Sequence, residues 1–272
     1  MQKVMSIRSD KKKSFSYIHK YTNTPEFEDF NLHAHTDYEI FIFIKGDVNF
    51  VVEGVSYQLM PYDILLIKGN DLHQIFPNPD VEYERIVINI SEEFFNEMQC
   101  SHLKEIFSTE KKFISASETR KCKIDENIER IEKYISRTTR QQDIIIKCVL
   151  TELVYNLSTV TPSTGSISKN KTVSKIISYI NTNPSLNISL DELAEKFFLS
   201  KFYMCRLFKK NTGFTINQYI TNKRILLVKK LHKEGYSLSN ASIEAGFGSY
   251  ANFYKAYVKE FGISPKLGIK NY

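Results

Sequence analysis

Near its C-terminus the chain writes one pattern twice. SLDELAEKFFLSKFYMCRLFKKNTGFT at 189–215 is repeated, at an offset of 48–49 residues, as SLSNASIEAGFGSYANFYKAYVKEFGIS at 237–264. Each copy opens on Ser-Leu, and serine is a good helix N-cap because its hydroxyl accepts an orphan backbone N–H. A second serine, Ser200 or Ser249, follows eleven or twelve residues later and starts a second helix. Apolar positions correspond within that helix (Met204 with Phe253, Phe208 with Tyr257), and so do basic ones (Arg206 with Lys255, Lys210 with Lys259). Gly213 and Gly262 then end it, since glycine adopts the left-handed conformation that closes helices. Short helix, turn and second helix make a helix-turn-helix unit, whose second helix enters a DNA major groove. The segment between the copies is apolar at helical spacing through Ile216, Ile220 and Val228. About 20 residues of helix span about 30 Å, close to the roughly 34–36 Å between successive major grooves on one DNA face.

Charge follows the same division. Residues 166–272 carry 17 Lys/Arg and 6 Asp/Glu, a net of +11, whereas residues 1–165 carry 20 and 25, a net of −5. One half is suited to a polyanion and the other is not. The second helices concentrate this charge in Lys201, Arg206, Lys209, Lys210, Lys255 and Lys259, the side chains that phosphates and guanine edges require. With 42% hydrophobic and 25% charged residues the chain is neither disordered nor collagen-like. No apolar run approaches the roughly 18 residues of a membrane helix, and the basic N-terminus lacks the apolar core of a secretory signal. Cys100, Cys122, Cys148 and Cys205 are scattered without a CxxC pair, which disfavours a disulfide framework or zinc finger and fits a cytoplasmic protein.

The acidic half begins with residues 1–31, polar and poor in periodic signal. From 32 to 90 short apolar runs separated by turn residues predict an antiparallel sandwich or barrel: EIFIFIKG, Ile64–Ile67 and YERIVINI. After 91 the period becomes helical, in EEFFNEMQCSHLKEIF, in IDENIERIEKYI and in the more apolar DIIIKCVLTELVYNLSTV. The last two supply core and, as one reading, a subunit interface. TPSTGSISKN at 161–170 reads as a linker. The expected domains are 1–160, 161–170 and 171–272.

His33, His35 and Glu39 share strand parity if the strand is regular, and His73 follows the next strand pair. Three imidazoles and a carboxylate suit a first-row transition metal. The alternatives are a small-molecule effector pocket and a hydrogen-bonded structural cluster. The sequence assigns no metal, cofactor or catalytic residue outright.

Residues 171–270 resemble the DNA-binding domain of AraC/XylS-type bacterial transcription regulators, through SLDELA (189–194), RLFKK (206–210), TG (212–213), GF (246–247) and FGISP (261–265). Ala241, Ser242, Lys255 and Tyr257 depart from the usual pattern. The resemblance implies base-facing positions at Phe202, Cys205 and Arg206 in the first reading helix, and at Tyr250, Ala251, Asn252 and Lys255 in the second. HAHTDYEIFIFIKG resembles the first motif of cupin barrels, and LMPYDILLIKGNDLH a degraded second motif. The expected fold is therefore two-domain α+β: a cupin-like antiparallel β-barrel with appended helices, then an all-α domain of about seven helices. The implied function is a dimeric, cytoplasmic transcription regulator that binds double-stranded DNA and RNA polymerase. It is an activator controlled by a small molecule or partner at its barrel, and not an enzyme. The alternative is a metal-dependent cupin enzyme with an accessory DNA-binding domain.

Overall fold

A computed structural model describes residues 2–10, 14–26, 30, 32–108, 112–135, 139–160, 167–168 and 170–269. The chain divides into two compact units, residues 1–52 with 57–167, and residues 168–272 with 53–56. Most of the expected linker 161–170 lies outside the described residues.

The first unit is built on antiparallel sheet. Its strands are β1 (Gln2–Ser9), β2 (Phe15–Thr22), β3 (Tyr38–Lys45), β4 (Val48–Val52), β5 (Val55–Gln58), β6 (Ile64–Ile67), β7 (His73–Pro77), β8 (Tyr83–Ile90) and β9 (Phe113–Ile114). A six-stranded sheet runs β1-β2-β8-β3-β6-β9, and a second sheet contains β5-β4-β7 with β10 (Ile167–Ser168) at its edge. Strands β1 and β2 correct the expectation for residues 1–31. Phe15 and Tyr17 alternate with Ser16 and Ile18 in β2, a short aromatic alternation diluted by the polar residues around it.

Register sorts the side chains of the large sheet. Ile42 faces Ile64 and Ile86, and Ile86 faces His19; one step along, Ile40 faces Leu66 and Ile88, and Ile88 faces Tyr17. Successive side chains in a strand point to opposite faces. Ile40, Ile42, Ile86 and Ile88 therefore pack on one face, in a core shared with Phe94, Ile124, Ile131 and Ile146 from the helices. Phe41 and Phe43 point the other way, Phe41 onto Phe50 with ring centroids 4.7 Å apart.

The helices are α1 (Glu92–Glu97), α2 (Ala116–Lys121), α3 (Ile124–Ile135) and α4 (Arg140–Thr159). The helical stretch expected from 92 is broken after α1 and resumes as a 3₁₀ helix at Ser101–Phe107. Helix α4 starts on a capping box between Thr139 and Gln142 and leaves Ile144, Ile145 and Tyr155 exposed.

The second unit holds seven α-helices among the described residues: α5 (Lys171–Thr182), α6 (Leu190–Lys196), α7 (Lys201–Thr212), α8 (Ile216–Lys233), α9 (Leu238–Ser242), α10 (Tyr250–Phe261) and α11 (Pro265–Gly268). Ser189, Ser200, Ser237 and Ser249 accept hydrogen bonds from the first turns of α6, α7, α9 and α10. Gly213 and Gly262, at φ 82° and 69°, end α7 and α10. Ser189 and Ser237 are 48 residues apart, but Ser200 and Ser249 are 49 apart. The extra residue is taken up between α9 and α10, where Ile243–Phe247 forms a wide π-type turn. Gly246 sits there at φ 87°, and a Cβ at that position would lie 2.4 Å from the Ser185 carbonyl oxygen. Gly246→Ala should thus cost about 2 kcal/mol or more of stability. Gly248→Ala, at φ 71° with open space around it, should cost about 1 kcal/mol. Urea unfolding of the two variants checks the order, and equal effects would contradict this account of the turn.

Candidate nucleic-acid interface and sensor cluster

Helices α7 and α10 each bury one face and expose the other. Met204, Phe208, Phe253 and Tyr257 are fully buried. Lys201, Phe202, Arg206, Lys209 and Lys210 are exposed on α7, and Cys205 is half-buried between them. The Arg206 guanidinium lies over the Phe202 ring, 5.8 Å from its centroid, so the two present one composite surface. Lys201 Nζ is 2.9 Å from Asp191 Oδ2, an exposed pair of little energetic weight. On α10 the residues Ala251, Asn252, Lys255 and Lys259 are exposed. Tyr250 is half-buried and packs against Phe253. Asn252 is engaged locally: its N–H donates to Ser249 Oγ at 3.2 Å and its side-chain amide to the Phe247 carbonyl at 3.2 Å.

Sequence reasoning missed Phe198. It lies in the turn before α7 at φ 55° and is 94% exposed. A left-handed conformation costs a residue with a Cβ about 1 kcal/mol or more, and this ring recovers none of it by burial. Its neighbour Phe197 takes the inward position, against Tyr179 at 6.2 Å. The signal was the Phe-Phe doublet at the end of an amphipathic helix, where only one of two adjacent rings can face the core.

The first unit brings His33, His35 and His73 together: one nitrogen of each lies within 4.8 Å of the others. They do not converge through a regular strand, because β3 begins only at Tyr38. His33 is instead bridged to His73 by backbone hydrogen bonds of 3.1 and 3.0 Å. His35 donates from Nδ1 to the Asp37 carbonyl at 2.9 Å, and its Nε2 lies 2.8 Å from Glu39 Oε2. Burial opposes the charges here, yet the His35–Glu39 bond outweighs it; the His35 pKa is raised and Glu39 is held at about 2. Burial, aided by His33, pushes His73 down to about 3, so it is the neutral ring. Its Nδ1 donates to the Asp71 carbonyl at 2.9 Å. Its Nε2 is buried without a hydrogen-bond partner, 3.8 Å from Glu39 Oε2. A neutral imidazole with one nitrogen fixed by a carbonyl and the other lone pair unused is the form that ligates metals. His73 is in that form and His33 stands beside it; His35 has both ring nitrogens engaged, and it completes a three-histidine donor set for a first-row divalent ion only once its Nε2 leaves Glu39.

Two family models match the chain. That of the AraC-like ligand binding domain covers residues 16–154, just over half of the chain, and that of a helix-turn-helix domain covers 193–267. The lactose operon transcription activator of Staphylococcus xylosus is 28% identical over 147 residues, 53% of this chain and 50% of that protein. The helix-turn-helix transcriptional regulator YbfI of Bacillus subtilis is 24% identical over 243 residues, 87% of this chain and 86% of that protein. Among solved structures, ToxT from Vibrio cholerae aligns over 95% of this chain and 98% of its own, with a TM-score of 0.44 and 16% identity. With its basic, Ser-capped helix pairs behind a matched ligand-binding domain, the chain belongs to the AraC/XylS-type family and is a sequence-specific, DNA-binding transcription regulator.

Proposed function

We propose that this regulator activates transcription, reading two successive major-groove segments with α7 and α10 while its N-terminal unit receives a small-molecule signal. The observation that carries this reading is the pair of exposed basic helix faces, each behind a short Ser-capped helix. Arg206 and Lys255 are the polar base readers. Phe202, Cys205 and Ala251 offer apolar surface to thymine methyls, and Lys209, Lys210 and Lys259 clamp phosphates. Tyr250 and Asn252 position the second helix as much as they read. Activation rests on the names of relatives such as the lactose operon activator. A regulatory rather than catalytic role rests on the family, which is made up of regulators. The protein works in the cytoplasm, beside DNA and RNA polymerase, with a sensor unit at 1–160 and a DNA-binding unit at 171–272. Selection of bound DNA from a random pool tests this reading, and no enrichment of any sequence would overturn it. Lys210→Ala should weaken binding to all sequences alike and flatten the salt slope by about one unit. Arg206→Ala should cost about 1–3 kcal/mol and relax preference at one base, whereas uniform loss would make Arg206 a phosphate clamp.

The exposed Ile144, Ile145 and Tyr155 of α4 support a homodimer through this helix. Ile144→Glu/Ile145→Glu should then yield monomers by sedimentation without altering the helical spectrum, and an unchanged assembly state rejects the interface.

A second reading is favoured by the unpartnered His73 Nε2: the histidine cluster holds a divalent ion that ties the start of β7 to the segment before β3. Purified protein should carry close to one equivalent of Zn, Fe or Mn, and His73→Ala should lose it and lower the melting temperature. Sub-stoichiometric metal in the unmutated protein would leave the cluster a hydrogen-bonded lock.

A further inference from the structure

The helix-facing side of the large sheet is not fully covered. Between β2, β3 and β8 on one side and α2 and α3 on the other lies a cavity of about 530 Å³. That is within the range of small-molecule sites, roughly 300–1,000 Å³. It lies on the sheet face opposite Phe41 and Phe43: Ile42, Ile86 and His19 stand in register across three strands and line it.

Its chemistry is two-sided. Ile42, Ile44, Ile86, Ile124 and Ile128 form an apolar wall. Glu84, Asp125, Glu129 and Glu132 also line it, against Arg120 and His19 as the basic groups. Glu84 and Glu132 are already matched to His19, at 2.8 Å from its Nε2 and 2.7 Å from its Nδ1. Asp125 and Glu129, one turn apart on the exposed side of α3, make no ion pair among the described residues. The rim is fixed rather than loose. Asp63 accepts the N–H groups of Met60 and Ala116, and the Thr119 hydroxyl donates to the Tyr62 carbonyl. Helix α2 is thereby tied to the loop that carries Tyr62 at the rim.

An apolar wall with a surplus of carboxylates selects an organic cation that carries a hydrocarbon body. We propose that this outer cavity is the effector site of the N-terminal unit, and that it takes an amine or other ammonium compound with an apolar body of about six to ten carbons. The ammonium group lies by Asp125 and Glu129, and the hydrocarbon lies on the isoleucines. The proposal rests on the reading that the N-terminal unit receives a small molecule. It locates that event on the helix side of the sheet, away from the histidine cluster.

Calorimetric titration of the full chain with butyl-, hexyl- and octylammonium, with octanoate and 1-octanol as controls, tests it. Affinity should rise about threefold to fourfold per added methylene. Octanoate should not bind, and 1-octanol should bind at least tenfold more weakly than octylammonium. Asp125→Asn/Glu129→Gln should lose about tenfold for octylammonium and keep the apolar trend. Ile128→Lys, which sets a fixed cation on the apolar wall beside Asp125 and Glu129, should weaken octylammonium binding at least tenfold with the helical spectrum and DNA affinity unchanged. Equal binding of octanoate, octanol and octylammonium would overturn the proposal, as would octylammonium binding undiminished by Ile128→Lys. Failure of the amines in a preparation that selects a DNA sequence removes this site alone. Failure to select any DNA removes the regulator reading instead.

Discussion

Burial of one isoleucine-rich sheet face under α3 and α4 is the interaction on which the N-terminal unit depends. The stripe Ile124, Ile128 and Ile131 of α3 packs in the core that this face shares with α4. Each fully buried side chain of this size contributes about 2–3 kcal/mol. Polar ties then fix where the helices lie. Glu132 of α3 accepts from the Tyr17 hydroxyl at 2.9 Å and meets His19, both on β2. On α4, Asp143 pairs with Arg8, and Lys147 lies 2.9 Å from Asp10 and 2.5 Å from Glu97. Such partly buried pairs add less energy than the isoleucines, but they admit few helix positions. The cavity lies toward the start of α3, between Ile124 and Ile128 and the pinned Glu132.

The DNA-binding unit is organised differently. Its helices are short, and a short helix leaves many of its backbone groups without internal partners. Side-chain caps at Asn170, Ser189, Ser200, Thr215, Ser237 and Ser249 meet part of that cost. Helix α8 is the exception, with 18 residues and buried Tyr219, Ile225 and Val228. Rigidity there matters because α8 joins the two reading modules. At 1.5 Å per residue its 18 residues span about 27 Å, slightly short of the 30 Å expected from sequence.

What could be read in advance follows from the range of the interactions involved. Caps, helical periodicity and terminal glycines are local, so α7, α10 and the repeat were legible, as were α3 at Ile124–Ile135 and β8 at Tyr83–Ile90. Strands β1 and β2 were not, because their strand character comes from pairing, β2 with β8 and β1 with β2, rather than from their own composition. His33, His35 and His73 lie together, but not through the regular strand on which their expected parity depended: a bridge from His33 to His73 gathers them. The outer cavity could not be foreseen, since it exists only where three strands and two helices fail to meet. Phe198 was overlooked because exposure of a large apolar ring runs against the hydrophobic pattern.

The wide turn at Ile243–Phe247 has a bearing on how the duplicated module tolerates change. One residue inserted within a helix rotates everything after it by about 100° around the axis. Had the extra residue fallen inside α10, Phe253 and Tyr257 would have swung away from the core and the basic face would have turned inward. Lodged in a glycine turn, it leaves the phase of α10 intact behind its own serine cap. The two halves of the duplication can therefore diverge in length at their joints while their exposed basic faces stay in phase, so a change of length in one leaves the orientation of the other untouched.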